Sequence, residues 1–296
     1  MELIKKTNFD FLGKRKWAYL FSLMVILAGI ITFAIRGKSN FGVDFVGGDM
    51  LRIGTKAPSS VVHVRKALSR LNLSEVVVQE VGSAHDQFII KSPPNTAMKI
   101  AAILAEEFGS DFVEVKGRSE VSPAMSVSLR NRALMAFFIG LFGMLVYITI
   151  RFEFHFATCA TLAIFHDLLF VVGVMVMLGY VIDTQIIAAL LTIAGVSIND
   201  TIVIFDRIRE SMRKTRSSNY IELFNQAINE TLSRTVLTGI TTITMVLLLF
   251  FLGGESLRGF SLALCIGFVV GTYSSIFIAT SLLVDWQRKG SYKLRL

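Results

Sequence analysis

The stretch AGVSINDTIVIFDRIRE, residues 194–210, determines how the rest of the chain is interpreted. Most of it up to Phe205 is apolar enough to lie in a membrane, yet Asn199 and Asp200 fall inside it. Because a charged side chain is costly at that depth, an ionisable residue there marks a functional site and faces other helices or a water-filled cavity. The stretch therefore predicts a membrane-spanning helix with a buried polar site.

Helical spacing groups the polar residues of this stretch. Ser197, Asp200 and Thr201 stand at i, i+3 and i+4, so they share one face of the helix. Asn199 opens an adjacent face together with Gly195. We expect the whole stripe to point into the helix bundle, because lipid offers polar groups no hydrogen-bond partner.

The composition of the whole chain agrees with a membrane protein. Of 296 residues, 53% are hydrophobic and only 18% are charged, and the mean hydropathy is +0.62. A soluble chain of this length would carry more charge. Apolar runs of about 17 residues or more predict membrane spans. Six such runs are present: Trp17–Ile35, Ala133–Ile150, Phe156–Gly179, Gln185–Phe205, Val236–Leu252 and Gly259–Val284. We predict an α-helical polytopic membrane protein with six transmembrane helices, the first at 17–35 and the others within 133–284.

Basic residues are distributed unevenly between the two sides of the predicted bundle. The side with both termini carries sixteen Lys and Arg, whereas the short connections on the other side carry only Arg258. The sixteen lie in the N-terminus 1–16, at Arg151, in the connection 207–232, at Arg234 and in the tail 285–296. Because positive charge is retained in the cytoplasm, both termini are expected there. This topology also explains the net charge of +8 without nucleic acid as a partner.

Residues 37–131, between the first two spans, are too polar and too long for a loop and predict one periplasmic domain. Its predicted strands and helices follow the order β-α-β-β-α-β: Met50–Ile53, Ser59–Leu71, Glu75–Val81, Gln87–Ser92, Thr96–Phe108 and Asp111–Val121. This order is typical of the ferredoxin-like, split βαβ arrangement. The predicted fold class is therefore helical membrane protein with one α+β ferredoxin-like domain.

The motif FGVDFVGGD, residues 41–49, connects the first span to this domain. Gly47 and Gly48 permit backbone angles closed to other residues, so a tight turn is the simplest interpretation. The glycine spacing does not fit a phosphate-binding loop. We find no nucleophile with a base in the domain, and Cys159 and Cys265 lie in predicted spans. We therefore expect no enzymatic activity, no disulfide and no metal site.

A partner for Asp200 can be sought at the same depth. Arg234 lies just before the fifth predicted span, on the side of the membrane nearer to Asp200. An arginine would favour the ionised carboxylate, whereas desolvation would favour the neutral acid. These opposed effects suit a proton-switched site. A static salt bridge between two helices is the alternative, and the residues alone leave both open.

The third predicted span contains a second ionisable interruption, His166-Asp167, near the middle of the membrane. Adjacent residues point about 100° apart on a helix, so the two side chains cannot stack on one face, and one of them can face the fourth span while the other faces a different neighbour. A hydrogen-bonded pair is the simpler interpretation for His166. Asp167 needs a partner that the sequence does not identify. An aspartyl-protease pair with Asp200 is disfavoured, because the two residues are placed at different depths.

Several segments of the chain resemble the SecD/SecF family of protein-export membrane proteins, in the resistance-nodulation-division superfamily of proton-driven transporters. Together they are highly specific and run along nearly the whole chain: FGVDFVGG (41–48), RFEFHFA (151–157), HDLL (166–169), GVSINDTIVIFDRIRE (195–210), INETLSRTVLTGITTI (228–243) and LCIGFVVGTYSSIFIA (264–279). The resemblance implies six spans, one large periplasmic domain and residence in the bacterial inner membrane.

The same resemblance implies candidate site residues. The family's fourth-span aspartate falls on Asp200, within SINDT, and its fifth-span arginine on Arg234, within LSRT. This implies that the two residues conduct protons. The full candidate relay comprises Asp200, Arg234, Asn199, Thr201, Asp167 and His166. The motif after the first span supplies a second candidate set: Gly42, Asp44, Phe45, Gly47 and Gly48.

The resemblance also implies partners and an energy source. SecD, the SecYEG channel, YajC and translocating preproteins are the expected partners, with the proton gradient as energy source and no cofactor. Where the family reads Val-Gly-Pro before the second span, this chain has Ser122 in place of the glycine, which predicts a stiffer connection. A half-size small-molecule exporter of the same superfamily and a non-energised scaffold subunit are the alternative functions.

Overall fold

A computed structural model of the chain describes residues 7–55, 61–69, 76–80, 87–109, 113–121, 123–214 and 219–289. In these ranges the helices are α1 (Arg15–Arg36), α2 (Val43–Val46), α3 (Val61–Ser69), α4 (Ala97–Phe108), α5 (Pro123–Arg151), α6 (Phe154–Met177), α7 (Thr184–Lys214), α8 (Tyr220–Leu252), α9 (Glu255–Ser274) and α10 (Thr280–Lys289). A π-helical turn, Ser275–Ala279, joins α9 to α10. The strands are β1 (Gly48–Thr55), β2 (Val77–Glu80), β3 (Gln87–Ser92) and β4 (Val113–Val121).

Six segments of this described part are long and apolar enough to cross a membrane. They contain α1, α5, α6, α7, α8 and the continuous α9–α10 segment. Each of them coincides with one of the six predicted runs. The number and the order of the predicted spans are therefore those of the structure.

Two of the membrane helices continue well beyond their predicted ends. Helix α7 runs on to Lys214 and α8 begins at Tyr220, so the connection predicted at 207–232 is helical over most of its length. Residues 207–232 contain no glycine or proline, which explains why the helices do not stop at the membrane boundary. An ion pair between Arg207 and Glu230 joins the two extensions.

The six membrane segments form an inner group and an outer group. Over its most apolar 18 residues, α6 is 61% buried and α7 is 50% buried, against 11% for α5 and 11% for α8. The α9–α10 segment, at 61%, belongs to the inner group. Helices α6, α7 and α9 therefore form the core of the bundle, while α1, α5 and α8 expose most of their surface.

A pair of glycines allows α1 to cross α6 at very short distance. A Cβ atom added to Gly29 would overlap the backbone of Gly173, and one added to Gly173 would lie 3.1 Å from the Gly29 Cα. Small residues at such crossings let helix backbones pack directly against each other. This contact fixes the outer helix α1 to the core.

The strands form one antiparallel sheet with the order β2-β3-β1-β4. Along the chain the elements follow the order β1-α3-β2-β3-α4-β4, which is the predicted order of strands and helices. One face of the sheet packs on α3 and α4 around a core that includes Leu51, Ile53, Phe88, Ile90, Ile100 and Leu104. The residues 37–131 thus carry their own hydrophobic core, separate from that of the bundle.

The FGVDFVGGD motif joins this α+β domain to the bundle. Gly47 adopts φ 88°, a conformation that favours glycine, and a Cβ at Gly48 would overlap the backbone oxygen of Ser92. The Asp49 carboxylate accepts hydrogen bonds of 2.9 Å from the backbone N–H groups of Thr96 and Ala97, at the start of α4. The motif therefore forms a tight turn that also caps a helix.

Both connections between the domain and the bundle meet at one place. Gly48, the first residue of β1, is paired in register with Val121, the last residue of β4, and α5 begins at Pro123. The stiffening predicted for Ser122 concerns a residue outside the described ranges.

Candidate functional site

Asp200 lies on α7 and is enclosed by α9. Its exposed fraction is 6%, and its Oδ2 accepts a hydrogen bond of 3.2 Å from the Thr272 hydroxyl. The two helices approach closely because residue 271 is glycine, where a Cβ would lie 3.0 Å from the Ser197 Cβ. Since Thr272 follows Gly271 directly, the same close contact brings its hydroxyl to the carboxylate.

The prediction for the polar residues of α7 is only partly correct. Ser197 and Thr201 are buried together with Asp200, as predicted. Asn199 is exposed, however, as is Gly195 on the same side of the helix. The prediction that the whole stripe points into the bundle is therefore wrong for Asn199, because α7 buries one face against α9 and leaves the adjacent one uncovered.

Arg234 lies on α8, and its side chain is exposed in this single chain. It is near enough to Asp200 for a favourable charge–charge interaction. The hydrogen bond to Asp200 comes from Thr272 instead, and these two described residues form no ion pair with each other. The structure thus brings Asp200 and Arg234 into the same region without joining them in a salt bridge.

Asp167 lies on α6, fully buried where α6, α7 and α9 meet. Its Oδ2 accepts hydrogen bonds from the hydroxyls of Ser197, on α7, and Ser274, on α9. Its Oδ1 lies 2.9 Å from His166 Nδ1. The partner that the sequence left unnamed is therefore a pair of serines together with the adjacent histidine, and these two described carboxylates, Asp167 and Asp200, share none of their hydrogen-bond partners.

Hydroxyl groups continue this network towards Asp200. The Thr201 and Ser275 hydroxyl oxygens are 2.8 Å apart, and each also lies within hydrogen-bond distance of the backbone oxygen of Ser197, at 3.1 Å and 3.3 Å. Ser275 is the first residue of the π-helical turn, a departure from α-helix that is frequent at functional sites. The sequence did not reveal Ser274 and Ser275 as site residues, because the segment GFVVG (267–271) just before them has the GxxxG spacing that indicates close helix packing alone.

The motif residues after the first span lie outside this cluster. Asp44 Oδ2 accepts a hydrogen bond of 2.9 Å from the hydroxyl of Thr184, at the first residue of α7. Thr184 and Asp200 are separated by about 24 Å along the helix, at ~1.5 Å per residue. Gly42 donates its backbone N–H to Ile182, 2.9 Å away. These residues position the domain on the bundle and do not contact the buried carboxylates.

The fold and this site define a class: a multi-pass membrane protein whose helices enclose ionisable side chains. A family profile described as "Protein export membrane protein SecD/SecF, C-terminal" matches residues 101–289. The protein translocase subunit SecF of Thermodesulfovibrio yellowstonii is 39% identical over 96% of both chains. That of Rhodothermus marinus is 36% identical over 100% of this chain and 99% of the relative.

A solved structure agrees with these sequence relatives. The crystal structure of SecDF, a translocon-associated membrane protein, from Thermus thermophilus matches with a TM-score of 0.80 at 36% identity. The match covers 98% of this chain, which spans only 40% of the SecDF chain. The chain belongs to the SecD/SecF family of protein-export membrane proteins, and its full-length relatives are SecF subunits.

Proposed function

We propose that this chain works as the SecF-type subunit of an accessory Sec complex, which uses the proton gradient together with SecD to promote preprotein export across the inner membrane. The enclosed Asp200 carries the proposal: it has a hydroxyl partner and a cation nearby, but it forms no ion pair with any residue that the structure describes. The printed names of the relatives, protein translocase subunits, support the export role. The gradient supplies the energy, so no cofactor is required.

Different neighbours favour the two protonation states of Asp200. Arg234 attracts the ionised carboxylate, whereas burial favours the neutral acid. The Thr272 hydroxyl can donate to the carboxylate or accept from the neutral acid, so the contact with α9 persists in both states. Protonation therefore weakens the attraction to α8 while the contact to α9 remains. We propose that this difference shifts α8 relative to α9.

Asp167 has a different role in this proposal. Its carboxylate is fully buried and accepts hydrogen bonds from Ser197 and Ser274 beside His166. Such a fully partnered group anchors α6 to α7 and α9. His166 and Asp167 would then hold Ser197 and Thr201 in place beside Asp200, and the proton would be carried by Asp200.

The exposed polar face of α8 supports SecD as the partner. Arg234, Thr238 and Thr242 follow one another at four-residue spacing and define what we call the α8 polar face. Arg234 and Thr238 are exposed in the single chain. Because polar side chains along a membrane helix are expected to face other helices and not lipid, another membrane subunit is expected to cover this face. A homologous six-helix subunit such as SecD fits that requirement.

A photo-crosslinking residue in place of Thr238 is expected to form a covalent adduct with SecD in membranes. The same residue in place of Ile240 is the matched control, because Ile240 is 58% exposed but lies on the apolar side of α8. Adducts are detected as a shifted band in denaturing gels. Equal SecD adducts from both positions would show that the α8 polar face is not the contact.

The fold of the domain, the orientation of the chain in the membrane and the further partners are part of the same proposal. The strand order β2-β3-β1-β4 supports a ferredoxin-like domain, and the basic residues support a periplasmic location for it with both termini in the cytoplasm. Labelling of Met98→Cys on α4 by an impermeant thiol reagent from the cytoplasmic side only would contradict that orientation. The SecYEG channel, YajC and preproteins are further proposed partners.

The function is tested by preprotein export in membrane vesicles that contain the channel, SecD and this chain. We expect the two subunits to accelerate export while a proton gradient is imposed, and to lose this effect when a protonophore collapses it. Vesicles without the two subunits are the control for gradient effects on the channel itself. An equal acceleration with and without the gradient would favour the non-energised scaffold.

A further inference from the structure

The segment before α1 is held by two asparagine side chains of α8. We call Phe9–Leu12 the N-terminal strap. Asn229 accepts from the Phe9 N–H at 3.0 Å and donates to the Phe9 oxygen at 2.9 Å. Asn225, one turn earlier, accepts from the N–H groups of Phe11 and Leu12, both at 3.1 Å. The Asn229 amide thus pairs with the Phe9 backbone as a neighbouring strand would, whereas the Asn225 amide only accepts from the strap backbone.

Asp10 fixes the shape of the strap. Its Oδ1 accepts hydrogen bonds from the Gly13 N–H at 2.9 Å and from Asn225 Nδ2 at 2.8 Å. These donors, the Gly13 N–H first, lower the pKa of the exposed Asp10 carboxyl below its usual value. The carboxylate therefore stays ionised at neutral pH and keeps the turn that leads into α1.

The other side of the strap contacts the last membrane segment. The Phe11 ring packs edge-on against Phe277 in the π-helical turn, with the centroids 5.7 Å apart, and Leu12 is fully buried. Arg15, at the start of α1, pairs with Asp285 of α10 at 3.1 Å. The strap therefore connects α8 to the α9–α10 segment at the end of the bundle that holds both described termini.

Both connected elements carry groups of the buried site. Asn229 precedes Arg234 by about one and a half turns on α8, and Phe277 follows Thr272 by a similar distance. The spacing of α8 from α9 at the strap thus affects how close Arg234 lies to Asp200. The outer end of the strap is open to release, because the Phe9 side chain is 59% exposed and its bonds to Asn229 lie at the surface.

We propose that the N-terminal strap is a releasable tie between α8 and the α9–α10 segment, with Asn225 and Asn229 as positioning residues for the buried proton site. This inference rests on the proposed function, in which protonation of Asp200 shifts α8. When the strap is bound, Arg234 is held near the carboxylate. When the strap leaves Asn229 and Asn225, α8 is free to move away.

The first test is the pH dependence of gradient-driven export by the full complex with SecD. In the double variant Asn225→Ala/Asn229→Ala, export is expected to fall several-fold and its midpoint to move to higher pH, because a more distant Arg234 stabilises the carboxylate less. Gln226→Ala is the matched control, since the Gln226 amide donates to Glu230 within α8 and makes no hydrogen bond to the described part of the strap. If the double variant fails to assemble, Asp10→Ala replaces it as the test, because Asp10 is exposed and also holds the strap, and the same shift is expected. A wild-type midpoint in Asn225→Ala/Asn229→Ala, or in Asp10→Ala where the double variant does not assemble, would overturn the proposal.

The second test measures the strap directly and does not depend on export. Spin labels at Phe9→Cys and Gln226→Cys, in a chain with Cys159→Ala and Cys265→Ala, report the distance between the strap and α8. We expect one short distance with Asp200 present and a second, longer population with Asp200→Asn, which mimics the protonated state. Identical distances in the chain with Asp200 and in Asp200→Asn would refute the release of the strap but not the proposed function. Unchanged export by Asp200→Asn would refute the proton relay itself.

Discussion

Asp200→Asn is expected to reduce gradient-driven export to the level seen without a gradient while the complex with SecD still assembles. Asparagine keeps the size of the side chain and the hydrogen bond with Thr272, but it cannot take up or release a proton. The measurement is export in vesicles with an imposed gradient, alongside co-purification of SecD. Asp206→Asn is the matched control, because Asp206 lies on the same helix but pairs with Arg151 at the surface.

Substitutions of Arg234 separate a proton carrier from a structural contact. Arg234→Ala is expected to stop export, because the site then binds a proton but releases it poorly. Arg234→Lys keeps the charge but lacks the planar guanidinium, so partial export is expected. If Asp200→Leu/Arg234→Leu still drives gradient-dependent export, the two residues only stabilise the bundle and the relay is wrong, since apolar replacement of a structural pair is often tolerated.

Gly29→Val is expected to prevent accumulation of folded protein. Its side chain would meet the backbone of Gly173, which cannot rotate away as a side chain can. Overpacking of a core costs about 1–3 kcal/mol when side chains can adjust, and separating α1 from α6 is expected to cost more than that range. The measurement is the yield of monodisperse protein after detergent extraction and its thermal unfolding.

A matched substitution controls for the effect of valine in a membrane helix. Gly143→Val places the same side chain on α5, at a position where no atom outside the adjoining residues and backbone of α5 lies within 4 Å of the added Cβ. It is expected to leave the yield and the unfolding temperature of the isolated chain unchanged. Similar losses for both variants would show that helix propensity, and not the crossing of α1 and α6, causes the defect.

The sequence predicted the elements of the fold well but not where the membrane helices end. Hydropathy located all six spans, because an apolar run of that length has few other uses. It could not show that α7 extends to Lys214 and that α8 begins at Tyr220. The start of α8 depends on a local cap by Asn219, and the two helix extensions are joined by the tertiary ion pair between Arg207 and Glu230. Hydropathy reports neither contact.

The candidate site was predictable where one helix carries it and unpredictable where several helices meet. Periodicity alone put Ser197 and Thr201 beside Asp200. Which side of α7 stays uncovered depends on its neighbours, so the prediction for Asn199 was wrong. The serines that partner Asp167 come from α7 and α9, and no pattern within α6 identifies them.

The register of Gly48 with Val121 determines how the α+β domain can transmit force. The chain enters the sheet at Gly48 and leaves it at Val121, so the two connections to the bundle lie side by side. A rotation of the domain about these connections leaves the hydrogen-bond ladder between β1 and β4 intact, whereas tension on the sheet acts on both connections at once. Tension applied through the two chain connections thus reaches α2 and α5 together, while the contact of β2 with α9 forms a second attachment to the bundle.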